Sequence, residues 1–380
     1  MKDRVKEIGV GIIGFGFMGK THTFGYRTLP LYYPALPFRA RLVGICNRTR
    51  SVAEKAKEDI GFEFATDNLD DIFDREDIDV VHICTPNANH KEALLKAIDA
   101  GKHFYCDKPL TASYDEAREV VERLKDKDLI HQIAFHYRFY PATLRARQMI
   151  EEGRLGRILS FRACYLHSSL VDPDRPIGWR LDKKVSGGGV LYDLGSHILD
   201  MMYYLLGEYS SLLAKTQTAY ETRPDGSGNR VEIETDDATY IIAQMKCGAV
   251  GTVEASKVAT GTNDELRFEI HGDKGAIRFN LMEPNWLEYY DNTALEAPLG
   301  GVKGFTKIES VQRYDAPGGS FPSSKGSIGW LRGHVHCLYS FLSHVHDGTK
   351  ANPSAEDGAY IQYVMDKAYE SSRSGCWVAL

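Results

Sequence analysis

Three side chains in this 380-residue sequence could move a proton and steady a developing charge if the fold brings them to one substrate: Lys108, Asp193 and His197. Asp193 and His197 are four residues apart in a helix-like stretch that follows Gly187-Gly188-Gly189, so both project from one face. Histidine titrates near neutrality and a neighbouring carboxylate stabilises its protonated form, which suits removal of a proton from an alcohol. Lys108, between Asp107 and Pro109 at the end of an apolar run, can donate to a substrate oxygen and stabilise its negative charge. Taken alone, the first two could equally be a surface helix pair and the third a solvated lysine.

A redox partner for such chemistry is written at the other end of the chain. The apolar run from Ile8 closes in Gly14-x-Gly16-x-x-Gly19 and turns helical. Gly14 permits a tight turn, Gly16 leaves room for a pyrophosphate, and Gly19 lets the next helix pack on the strand, with its first NH groups at the phosphates. A glycine-rich turn without a ligand is the plainer alternative. Cofactor contacts are expected from Gly14, Gly16, Phe17, Met18 and Gly19. The second strand ends in Asn47-Arg48, where NAD enzymes usually carry an acid. Neutral Asn47 removes repulsion of a 2′-phosphate and Arg48 could pair with one or stack on adenine, so NADP is permitted.

These residues require a particular frame. Residues 41–46, 79–84 and 102–106 read as strands and residues 51–59, 90–100 and 113–125 as helices, an alternation that implies a parallel sheet covered on both faces. Ligands of such sheets bind beyond the carboxyl ends of the strands, where Thr85-Pro86-Asn87 and Asp107-Lys108-Pro109 fall. Residues 29–37 form a proline-rich excursion longer than this connection needs, serving as a rim or packing at an edge. The fold class is α/β: a Rossmann-type domain over residues 1–139, then an α+β domain over 140–380 with a large, mainly antiparallel open sheet.

In that second part a helix over 142–152 and a strand over 158–166 precede alternating strands from about 212 to 290. Residues 330–346 and 355–372 read as closing helices, and the Gly/Ser/Pro-rich 316–327 as a mobile loop. The chemistry is expected where the domains meet. Trp179, Arg180, His136, Arg138, Tyr165 and His167 are candidate substrate residues, since rings and forked donors suit polyhydroxylated ligands.

Composition narrows the partners. With 43% hydrophobic and 26% charged residues and a net charge of -6, the chain reads as soluble and globular, with no footprint for nucleic acid or an anionic membrane. No apolar run is long enough to span a bilayer and no apolar signal core follows the charged start, so a cytoplasmic location is expected. Seven cysteines without a CxxC fit a reducing compartment, and Cys46, Cys84 and Cys106 sit at ends of buried strands. His334, His336, Cys337, His344 and His346 invite a metal, but residues two apart on a helix face different ways, and no metal is expected.

Together the motifs resemble the Gfo/Idh/MocA family of nicotinamide-dependent sugar and polyol oxidoreductases. The resemblance covers almost the whole chain. It rests on Gly14/Gly16/Gly19, Thr85-Pro86-Asn87 with His90, the family's Glu-Lys-Pro appearing as Asp107-Lys108-Pro109, Tyr137-Arg138-Phe139-x-Pro141, Gly153-x-x-Gly156, Gly178-Trp179-Arg180, Asp193-x-x-x-His197 and Pro353-Ser354-x-Glu356-Asp357-Gly358. It implies Lys108, Asp193 and His197 as the catalytic set, with His197 the acid/base, and adds Thr85, Pro86, Asn87, His90, Asp107 and Lys108 to the cofactor contacts. Asp107 is one methylene shorter than the family's Glu, which can alter its cofactor contact. The implied activity is hydride transfer between a secondary alcohol of a sugar, polyol or glycoside and NAD or NADP, with a lean to NAD. The family also holds NAD-dependent redox-cycling glycosidases and non-catalytic nucleotide-sensing regulators, and both stay open as alternatives. A homodimer or homotetramer through the C-terminal sheet is implied as well.

Overall fold

The computed structural model describes residues 5–33, 35–311, 321, 323 and 325–380. The chain forms two compact units: residues 1–136, 317–322 and 330–362, and residues 137–316, 323–329 and 363–380.

The first unit alternates strand and helix as expected: β1 (Lys6–Ile13), α1 (Phe17–Tyr32), β2 (Phe38–Cys46), α2 (Arg50–Ala56), β3 (Phe64–Thr66), α3 (Asp70–Phe73), β4 (Val80–Ile83), α4 (His90–Asp99), β5 (His103–Cys106), α5 (Tyr114–Leu124) and β6 (His131–Ile133). All six strands are parallel, in the order β3-β2-β1-β4-β5-β6. Ile8, Val10, Ile12 and Ile13 of β1, like every residue of β4, are buried, because helices cover both faces. Strand order reverses between β1 and β4, and crevices outside such a reversal are where α/β sheets bind ligands.

Three expectations change here. The three-residue strands β3 and β6 and the one-turn helix α3 were too short to show a period. Residues 29–37 are not all excursion: α1 continues through Pro30 to Tyr32, and Tyr33, fully buried, stacks on Tyr339 at 3.9 Å. That burial offsets the backbone bond that Pro30 removes. The helix Trp330–Asp347, expected in the second domain, belongs to the first unit. It packs on α1 at Gly25, where a Cβ would come within 3.1 Å of Leu338. Its Cys337 sulfur receives the Tyr105 hydroxyl at 2.9 Å and its Cys337 carbonyl the Gln132 amide at 2.9 Å. The helix Ala355–Ser374 contributes residues up to Gln362 to this unit and the remainder to the second.

The second unit opens with α6 (Pro141–Glu151), β7 (Ile158–Leu166), α7 (Lys183–Ser186) and α8 (Ser196–Leu206). Then follow β8 (Tyr209–Gln217), the short pair β9 (Thr222–Pro224) and β10 (Arg230–Glu232), β11 (Ala238–Met245), β12 (Val250–Ser256), β13 (Glu265–Gly272), β14 (Gly275–Asn280), β15 (Trp286–Asp291), β16 (Phe305–Glu309) and β17 (Val378–Ala379). Nine strands form one sheet in the order β16-β15-β14-β13-β7-β12-β11-β8-β17. Only the β7/β12 pair is parallel; its neighbours run antiparallel, as the alternating sequence predicts. Buried and exposed residues alternate along β11, which leaves Tyr240 and Ile242 on the outer face. Most of the loop expected over 316–327 lies outside the described residues.

Candidate active site

In the first unit the fingerprint turn has the geometry its glycines predict. Gly14 adopts φ +92°, and a Cβ there would lie 2.8 Å from the Cys84 carbonyl oxygen. A Cβ on Gly19 would lie 2.2 Å from the Gly14 oxygen, so α1 and the turn are in backbone contact. Around Gly16, in contrast, no atom of the described residues apart from its own chain neighbours comes within 4 Å of a built Cβ, which is the room a pyrophosphate needs. The dinucleotide therefore fits the residues present. Phe17 is exposed and Met18 half-buried at the first turn of α1, whose free NH groups suit phosphate.

The turn is held by side chains that the sequence offered as ligand contacts. Asn47 Oδ1 accepts from Phe15 N at 3.3 Å and its amide donates to the Thr49 carbonyl at 3.2 Å, so this side chain braces the glycine turn; Arg48 beside it is exposed. His90 is fully buried, with Nε2 2.8 Å from the Thr85 carbonyl oxygen and Nδ1 3.0 Å from that of Pro109. It ties the loop after β4 to the loop after β5. Both of its ring nitrogens are taken by backbone carbonyls, so the ring braces these loops from within. Thr85 and Pro86 are half-buried and Asn87 is buried in the first of these loops. In the second, Asp107 accepts from the Lys108 amide at 2.9 Å, and Lys108 is half-buried.

Behind these loops lies a histidine cluster that the sequence did not reveal. His22 and His82 have ring centroids 4.4 Å apart, His334 lies 5.2 Å from His22, and His136 stacks on His334 at 3.6 Å. Burial lowers the His22 pKa to about 4 and carries those of His82 and His334 well below the usual value, so these rings are neutral at pH 7. His136, 2% exposed within this stack, does not stand ready for substrate. Donor atoms of His22, His82 and Cys84 lie within 4.8 Å of one another, the one group of metal-type donors among the described residues; it is packed between the rings of Tyr26 and Tyr105. Of the helix histidines considered for a metal, His334 is part of this core, while His344 and His346 bond to Thr349 and Asp347.

In the second unit, Asp193 lies in a wide helical turn, Leu191–Gly195, that leads into α8 and His197. Asp193 Oδ2 is 2.7 Å from Lys257 Nζ and 3.6 Å from Arg180 Nε. His197 is 6% exposed, with its ring against those of Tyr137 at 4.9 Å and Tyr165 at 5.9 Å. Tyr165 shares a 2.6 Å hydroxyl contact with Tyr137 and donates to Asp264 at 2.6 Å, and His167 Nε2 reaches the same carboxylate at 3.1 Å. Burial, then the neighbouring Tyr137 and Asp264, pushes the Tyr165 phenol well above its ordinary pKa, so it stays a donor. The guanidinium of Arg180 sits 4.6 Å over the Trp179 ring, both partly exposed. Arg138 differs from expectation. It is 3% exposed and forks onto Asp200, a buried ion pair that commits its donors to the fold.

Comparison with known proteins resolves the family. The family described as "Oxidoreductase family, NAD-binding Rossmann fold" matches residues 8–135, and the GFO/IDH/MocA C-terminal domain matches residues 143–278. A levoglucosan dehydrogenase from Pseudarthrobacter phenanthrenivorans is 34% identical, over 98% of this chain and 98% of its own length. The chain belongs to the Gfo/Idh/MocA oxidoreductase family. A solved levoglucosan dehydrogenase, in complex with NADH and levoglucosan, superimposes with a TM-score of 0.94 at 34% identity, covering 99% of each chain. Among more distant relatives, D-glucoside 3-dehydrogenase of Escherichia coli is 26% identical over 89% of this chain and 90% of its own. The protein is accordingly an NAD(P)-dependent oxidoreductase acting on CH–OH groups of carbohydrates or cyclitols.

Two residues that hold the Asp193 turn of this Gfo/Idh/MocA protein carry no local motif. Asp236, 5% exposed, accepts from Gly189 N at 3.0 Å and Leu191 N at 2.9 Å, capping the turn that bears Asp193. A Cβ on Gly189 would lie 2.1 Å from the Asp236 carbonyl oxygen, which explains a glycine there. Thr239 and Tyr369 hydroxyls fill the remaining lone pairs of the Asp236 carboxylate. Lys257, the other, follows β12 and meets Asp193. The signal was an Asp236-Asp237 pair and a lysine at a strand end, and neither says where it will point.

Proposed function

We propose that this oxidoreductase transfers hydride from a secondary hydroxyl carbon of a ring sugar or sugar derivative to NAD, with Lys108, Asp193 and His197 as the catalytic set. The observation that supports it most is that a chain carrying this set on braced loops is 34% identical, over 98% of its length, to a levoglucosan dehydrogenase. His197 takes the hydroxyl proton as the carbon–hydrogen bond yields its electron pair, and the Lys108 ammonium steadies the oxygen as it becomes a carbonyl. The nicotinamide ring, when bound, supplies the hydride acceptor. Gly14, Gly16, Phe17, Met18, Gly19, Thr85, Pro86, Asn87 and Asp107 line its binding, while His90 and Asn47 hold that lining in place. Trp179, Arg180 and His167 are the substrate residues exposed enough for this reading, whereas Tyr165, 4% exposed, has its hydroxyl engaged by Tyr137 and Asp264.

NAD is favoured over NADP in this proposal because the solved relatives at 34% identity are NADH complexes. We further place the protein in the cytoplasm, as a homodimer or homotetramer formed through the outer sheet face. There Tyr240, Ile242 and Val250 stand exposed.

The deciding experiment incubates the protein with NAD or NADP and a panel of anhydrosugars, glycosides, free aldoses and cyclitols while following reduced nicotinamide. Formation of NADH with one sugar class is the expected result. Tighter binding of NADPH than NADH overturns the cofactor preference, and aglycone release without net NADH assigns the protein to redox-cycling glycosidases instead.

A further inference from the structure

The ion pair at Asp193 raises a question that the catalytic set leaves open. A carboxylate four residues before the acid/base histidine could share its proton or could bind substrate, and its surroundings decide between these. Lys257 Nζ is 2.7 Å away, on a side chain only 7% exposed, against 24% for Asp193. The lysine is fixed at both ends of its peptide unit: its NH donates to the Asp237 carbonyl and its own carbonyl accepts from Leu170 N, each at 2.9 Å. Arg180 approaches Asp193 at 3.6 Å but is 46% exposed, so water screens it. Ser196 Oγ donates to the Asp193 backbone carbonyl at 3.2 Å and so does not compete for the carboxylate. Charged or titratable groups facing Asp193 thus include Lys257, Arg180 and, along its own helix, His197.

We propose that Lys257 is a positioning residue: it holds the Asp193 carboxylate ionised and aimed, so that Asp193 serves the substrate side of the site as a fixed anion and does not carry the reaction's proton. An ammonium in direct contact disfavours the protonated carboxyl, which removes Asp193 as a proton store near neutrality. The half-buried setting strengthens the pair relative to one in open water. Lysine binds as a point charge where arginine would fork across both oxygens, which makes the residue type itself part of the argument.

This proposal deepens the catalytic reading and rests on it, so its test has one arm that needs no turnover. With carbon-13 carboxyl-labelled aspartate, the Asp193 signal is assigned by its loss in Asp193→Asn. Lys257→Met is expected to move its titration midpoint upward, and an unchanged midpoint overturns the clamp whatever the enzyme does with sugars. In the second arm Lys257→Met lowers kcat/KM for the sugar about 100-fold, mainly through KM. NADH affinity, which serves as the check that the variant is folded, is unchanged. Lys257→Arg recovers part of the loss. Adding Lys257→Met to Asp193→Asn costs nothing further, because both act through one carboxylate. Effects that multiply in the double variant refute action through Asp193. A wild-type protein that oxidises no sugar counts against the catalytic reading alone, since the carboxyl titration still decides the clamp.

Discussion

The glycine turn after β1 and the Asp193 turn before α8 both present candidate functional groups, yet they are built by opposite means. The first is nearly self-contained: Gly14 and Gly19 touch each other, and the bracing Asn47 comes from the adjoining strand. The second depends on residues remote in sequence, Asp236 capping its start and Lys257 gripping its acid. Nucleotide binding can therefore be fixed by a short motif, whereas the presentation of the sugar-side groups depends on a sheet being folded first. A turn of the second kind is easier to retune, since a change in a distant strand moves the groups proposed as catalytic without touching them.

That contrast can be broken at its strongest point by His197→Ala. Turnover should fall about 1,000-fold, equivalent to about 4 kcal/mol of barrier, while NADH titration stays unchanged. Retention of full turnover would remove His197 as the acid/base. Acid tests the core of the first unit next. The His22 pKa is about 4 in the folded protein against an ordinary value of 6.5, so the unfolded chain binds the extra proton between those values. Stability contributed by neutral His22 is complete above pH 6.5 and is lost as pH falls toward 4, by about 3 kcal/mol. His82 and His334 act in the same direction. Thermal unfolding of wild type and His22→Gln from pH 7 to pH 4 should show the flatter profile in the variant.

Smaller effects sharpen the difference between the two turns. Asp236→Ala takes the carboxylate acceptor from two buried NH groups, leaving Gly189 N only the Tyr369 hydroxyl at 3.2 Å, and should cost about 2 kcal/mol of stability, with turnover falling while NADH affinity holds. Gly16→Ala should do the reverse. The added methyl meets no atom of the described residues within 4 Å apart from its own chain neighbours, so the melting temperature should stay put, but NADH should bind about tenfold more weakly. Loss of stability in Gly16→Ala, or loss of NADH binding in Asp236→Ala, would show that the two turns are not independent.

The same contrast explains what could be read from the chain. The glycine fingerprint and the strands β1, β2, β4 and β5 were legible because each is a continuous local pattern. The Asp193/His197 pair was legible as chemistry, but its clamp and cap were not, since 64 residues separate Asp193 from Lys257 and the bond joining them leaves no periodic trace. Amphipathic patterning announced the helix Trp330–Asp347 and its apolar face without naming a partner, and its partner is α1, near the other end of the sequence. Arg138, His136 and His90 show a further limit. Their types suit ligand binding, but the fold uses them internally, in an ion pair with Asp200, a ring stack and a bridge between loops.

The cysteines give the molecule a set of internal clocks. Cys46, Cys84, Cys106 and Cys337 are buried in the first unit, whereas Cys247 and Cys376 of the second are exposed. Burial raises the Cys46 thiol pKa to about 11 and those of Cys84 and Cys106 well above 9.0, so each can be alkylated only when its surroundings open. The delay before each buried thiol gains its label, read by mass spectrometry, is a measure of how often that part of the sheet breathes. Cys84 abuts the glycine turn through its carbonyl, so a nucleotide seated there should slow its label most, turning an unreactive side chain into a gauge of occupancy.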